Sequence, residues 1–142
     1  MKPIVTRITV EVLGSPKEHV EKALVDVINK IKTEKQVEVQ KVNAYEAKEM
    51  DNKLWSTFAD IEFETKDLKK LMDVCYDFMP SNIEILEPVG MEIETVVVQD
   101  LLNDVLTKLH KYTMVLRKLQ TENIYMMKEL ERIRDGKPKV IQ

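Results

Sequence analysis

The chain holds one cysteine, Cys75, and a single thiol can neither close an intramolecular disulfide nor build a metal-ligand cluster. Glycine and proline are also scarce, at three and five residues. Beside 44% hydrophobic and 33% charged residues, that scarcity excludes a disordered chain and fits an ordered, helix-rich soluble one. No stretch approaches the roughly 20 apolar residues that a membrane crossing needs, and the start, Met1-Lys2-Pro3-Ile4, carries no apolar signal region. A cytoplasmic protein without a membrane partner is expected. Only two histidines occur, His19 and His110, on expected solvent-facing helix positions with no second ligand at metal spacing. No metal, cofactor or catalytic residue is expected, and Cys75 reads as a packed thiol on a helix stripe.

Charge is abundant and unevenly placed. From Met1 to Thr107 thirteen Lys/Arg stand against twenty-one Asp/Glu, a net of −8; from Lys108 to Gln142 nine stand against four, a net of +5. The chain is electrically polarised along its length. Its 142 residues suffice for one core of ordinary domain size, with a remainder left over.

Periodicity predicts an α+β domain over residues 1–88. Within Ile4–Leu13, Ile8, Val10 and Val12 alternate against Arg7, Thr9 and Glu11, the mark of a half-buried strand. Gly14 breaks it, and Ser15, Pro16 and Glu18 read as N-cap, N1 and N3 of a helix carried by Val20, Leu24, Ile28 and Ile31. A second strand is expected over Val37–Tyr45, bulged near Lys41 because Val37 and Val39 share one parity and Val42 and Ala44 the other. Polar Glu46–Lys53 reads as a hairpin connection. A third strand, Leu54–Glu64, sets Ala59, Ile61 and Phe63 on one face and Phe58, Asp60 and Glu62 on the other. Thr65 reads as the cap of a second helix built on Leu68, Leu71, Met72, Cys75 and Phe78, and Ile83–Glu87 as a fourth strand. This is the ferredoxin-like βαββαβ order: a four-stranded antiparallel sheet with two helices on one face. Residues 89–97 form a connector holding a candidate short strand, Glu92–Val97.

The strongest pattern occupies residues 98–135. Val98, Leu102, Val105, Leu109, Tyr112, Leu116, Leu119, Asn123, Met126, Leu130 and Ile133 recur at alternating four- and three-residue steps. Their mean of 3.5 residues is the period of a coiled-coil helix that buries one narrow seam against another helix. About 36 residues at 1.5 Å each make roughly 55 Å, longer than the preceding domain is wide. A second copy is the expected partner, giving a homodimer or higher oligomer. With Leu102 at heptad position a, Asn123 is the one polar a residue, which favours two parallel strands, whereas Leu at a with β-branched d residues leans toward more. Gly136 and Pro138 stop the helix, and residues 136–142 read as a flexible basic tail. Arg132, Arg134, Lys137 and Lys139 make a basic end suited to an acidic surface.

Three family resemblances bear on function. Ser56-Thr57-Phe58-Ala59-Asp60-Ile61-Glu62-Phe63 resembles the longer motif of RNA-recognition modules, which would give Phe58 a base-stacking role. Asp60 replaces the second aromatic, however, and Thr9 stands where strand one should offer a ring. With Glu11, Asp60, Glu62 and Glu84 on one face, the sheet argues against nucleic acid as a partner. The element order over Ile4–Pro88 is similar to the amino-acid-sensing ACT domains, which implies a ligand-sensing regulatory domain as an alternative. Leu68–Tyr112 looks like the C-terminal extension of bacterial WYL transcription regulators, a likeness of fold rather than function. The expected reading is a non-enzymatic homo-oligomeric interaction module. Its candidate partner face is Glu11, Phe58, Asp60, Glu62 and Glu84, turned toward another protein. Nucleic-acid binding through the basic distal helix is the minor alternative.

Overall fold

A computed structural model describes residues 2–136, so Lys137, Lys139 and the expected basic tail beyond Gly136 lie outside the described residues. The order is β1 (Ile4–Gly14), α1 (Lys17–Thr33), β2 (Val37–Ala44), β3 (Lys48–Glu49), β4 (Trp55–Thr65), α2 (Leu68–Phe78), β5 (Asn82–Glu87) and α3 (Thr95–Arg134). The chain divides between Glu92 and Ile93 into two compact units: a sheet with two helices, and α3. Among the described residues no helix is long and apolar enough to cross a membrane.

The sheet is antiparallel throughout, in the order β2-β4-β1-β5, with β3 also paired to β4. Alternation dictates its two faces. Ile4, Thr6, Ile8 and Val10 of β1 and Thr57, Ala59, Ile61, Phe63 and Thr65 of β4 are buried, while the residues between them are not. Onto that buried face α1 brings Leu24, Ile28 and Ile31, and α2 brings Leu71 and Val74, forming one cluster. Removing these side chains from water is the main favourable term for the unit. Lys70 Nζ and Glu34 Oε1, 2.9 Å apart, join the start of α2 to the residue that ends α1.

The sheet has five strands rather than the expected four. Polar Glu46–Lys53 reads as a turn, yet β4 extends past the end of β2, and its backbone groups at Trp55 and Ser56 still require partners. Lys48 and Glu49 provide them, helped by buried Ala47 and by the Thr57 hydroxyl, which donates to the Tyr45 carbonyl at 2.7 Å. The chain then turns through a short 3₁₀ segment, Asp51–Lys53, with Asn52 in the left-handed region at φ 64°. The bulge in β2 lies where the parity switch puts it, between Val39 and Lys41.

Both expected helix caps are corrected. Ser15 does not cap α1: Pro16 occupies the N-cap position in extended backbone, and its carbonyl accepts from the His19 and Val20 amides. Thr65 does not cap α2, because it is the last residue of β4 and fully buried; Asp67 Oδ1 accepts from the Lys70 amide at 2.9 Å instead. No strand forms in Glu92–Val97. Helix α3 begins at Thr95, three residues before the expected start, because Val97 and Val98 already donate to the Glu94 carbonyl.

Candidate functional site

Helix α3 runs 40 residues without an internal glycine or proline, about 60 Å at 1.5 Å per residue. The hydroxyls of Thr107, Thr113 and Thr121 bond back to the carbonyls four residues earlier, so these side chains follow the helix rather than break it. Asp135 and Gly136 close its end, Gly136 at φ +69° and donating to the Ile133 carbonyl.

All eleven seam residues lie within this one helix, and α3 buries none of its residues. Val105 is half-buried; the other ten are exposed, the apolar ones from Val98 at 39% to Leu130 at 66%. Leu106, Val115 and Met127, which flank the seam, are exposed as well. Successive a and d positions keep to one side of a helix with 3.6 residues per turn, drifting only slowly around it. The result is a long, narrow stripe of exposed, mainly apolar side chains along one side of α3.

The second candidate surface is the sheet face opposite the one that α1 and α2 cover. Glu11, Phe58, Asp60, Glu62 and Glu84 all lie on it, brought together by register: Glu11 opposite Phe58, Thr9 opposite Asp60, Arg7 opposite both Glu62 and Glu84. Two residues that sequence reasoning left out of the site organise it. Arg7, on a central strand, places its guanidinium 3.0 Å from Glu62 and 3.1 Å from Glu84. The hydrogen bond that Arg7 donates to Glu62, with the charges of Glu62, Glu84 and Asp60, holds Arg7 above its usual pKa. Part of the expected acidity is thus neutralised within the face. Tyr45 stacks on Phe58, ring centroids 4.5 Å apart at 25°, and its hydroxyl lies 3.5 Å from Asp60 Oδ2. Asp60 Oδ1 accepts from Thr9 at 2.7 Å. Arg7, Lys41, Asn43, Tyr45, Asp60 and Glu62 line a hollow of about 240 Å³. Arg7 was readable from its parity with Glu11, but the carboxylates that bracket it belong to strands whose register only the fold supplies.

One face of Phe58 is already taken by Tyr45, so a nucleobase would have to displace a ring to stack there. His19 and His110 are exposed. Cys75 is half-buried on α2, and burial pushes its thiol pKa up, away from the reactive thiolate. No group of three or more His, Cys, Asp or Glu that could hold a metal ion occurs among the described residues.

A match to a family of proteins spans residues 5–138, nearly the whole sequence. The chain belongs to the MJ0538 family. That match takes in residues of both the sheet unit and α3. No curated protein and no solved structure matches the chain.

Proposed function

We propose that this MJ0538 family protein is a non-enzymatic, cytoplasmic interaction module in which copies self-associate through α3 as a coiled coil. Each copy then presents a ferredoxin-like sheet unit to a protein partner. The observation that carries the reading is the stripe of α3, eleven positions long, apolar at all but Asn123 and with no buried residue. A helix that leaves Leu102, Leu109, Leu116, Leu119 and Leu130 in water gains heavily from a second helix in register. The strand order β2-β4-β1-β5 supports the ferredoxin-like description, with the two-residue β3 counted as part of the hairpin between β2 and β4. The partner-facing surface is the open sheet face with Glu11, Phe58, Asp60, Glu62 and Glu84, where Phe58 and Tyr45 offer an aromatic anchor inside a charged rim.

Sedimentation of the full chain tests the reading. The unaltered protein is expected as a dimer or larger species at micromolar concentration, and Leu109→Asp with Leu116→Asp as a monomer. Two unpaired carboxylates in the seam cost on the order of several kcal/mol, enough to dominate a contact of five heptads. A monomeric unaltered protein at high concentration would refute it.

A further inference from the structure

The two edges of the sheet differ. β2 carries a bulge at Gln40 and exposed Glu38, Gln40, Lys41 and Asn43, devices that blunt an edge against further pairing. β5 spends its pairing on β1 and has no strand on its outer side among the described residues; it contains neither Lys, Arg nor Pro. Ile83 lies opposite buried Ile8, on the helix-covered side of the sheet, yet Ile83 and Ile85 remain 45% and 42% exposed.

We propose that β5 is a homotypic pairing edge: β5 of a second copy docks against it antiparallel, with Ile83 opposite Ile83 of that copy. Directly opposed residues on antiparallel strands share a face of the sheet. In this register the helix-covered side brings the two Ile83 side chains together, with both Ile85 side chains diagonal to them. On the open side each Asn82 amide faces the Glu84 carboxylate of the other copy, so no like charges oppose. An axis at Glu84 would instead set carboxylate against carboxylate and would involve Leu86, the residue bulged out of the β1 ladder. The segment Asn82–Glu84 is thus complementary to itself, apolar to apolar and donor to acceptor. In this register only Asn82, Ile83 and Glu84 of each β5 overlap, a small contact, and it rests on the proposed α3 association for the tether that holds a second sheet unit at high local concentration.

Cysteine crosslinking in the full chain tests this. In a Cys75→Ala background, Ile83→Cys is expected to give a disulfide-linked dimer under mild oxidation, while Asn43→Cys on the β2 edge stays unlinked. Adding Asn82→Asp, which opposes two carboxylates, should slow the Ile83→Cys linkage severalfold. An oligomer by sedimentation whose Ile83→Cys form stays unlinked overturns the β5 proposal and leaves the α3 reading intact. A protein monomeric by sedimentation overturns the α3 reading, and linkage of Ile83→Cys at raised concentration then supports β5 pairing by itself. Linkage equally fast with Asn82→Asp overturns it. In the unaltered protein, β5 amide exchange that is indifferent to protein concentration counts against the proposal in the same way.

Discussion

Three threonines lie buried among the apolar side chains of the sheet, and they do not contribute alike. Thr57 donates to the Tyr45 carbonyl, fastening the chain where it leaves β2, whereas the Thr6 and Thr65 hydroxyls have no hydrogen-bond partner among the described residues. A buried hydroxyl without a partner has lost its water for nothing in return. Thr6→Val keeps the β-branched shape and removes that hydroxyl. It is expected to raise stability by about 1 kcal/mol, read as a higher urea midpoint at unchanged slope. Thr57→Val should act in the opposite direction by about 1–2 kcal/mol, because the Tyr45 carbonyl is then left with one bond fewer. If both substitutions destabilise equally, the Thr6 hydroxyl has a partner after all.

At the scale of the element, helix starts separate what local chemistry offers from what the chain uses. Ser15, followed three residues later by Glu18, has the letters of a capping box, but Pro16 takes the cap position and no side-chain cap bond forms. Asp67 does cap α2. Asp67→Ala should therefore cost about 1 kcal/mol while Ser15→Ala costs no more than a few tenths, with chemical denaturation as the check. Strands show the same division. The burial alternation of β1 and β4 follows residue by residue from their sequences, whereas β3 owes its existence to unsatisfied backbone on β4 and carries only exposed polar side chains.

For the whole molecule the question is how copies of α3 would meet in the proposed assembly. Asn123 is the one polar residue in the seam. In a parallel, in-register pair two Asn123 side chains would hydrogen-bond across the axis, a device that selects register and strand number at the expense of stability. Asn123→Leu is thus expected to raise the melting temperature and broaden the distribution of oligomers seen by sedimentation. Asn123→Cys in a Cys75→Ala background should form a disulfide readily. An intact oligomer without that crosslink would mean antiparallel helices, with the basic distal segment against acidic regions and an association that weakens with added salt.

The ordered α+β class, the order and approximate places of the helices, the β2 bulge and the gathering of the heptad residues onto one helix were legible in the sequence alone, because each depends on the local period of apolar residues. Phe58, Asp60 and Glu62 were legible as one face for the same reason. Only the tertiary structure decided the rest. Arg7 meets Glu62 and Glu84 across sequence gaps of 55 and 77 residues, a register that no local period encodes. Thr65 is drawn into the core instead of capping a helix, since β4 keeps its ladder with β1 to the last residue. β3 forms because backbone groups need partners whatever side chains they carry, and β5 keeps its isoleucines exposed because a sheet must end at some edge.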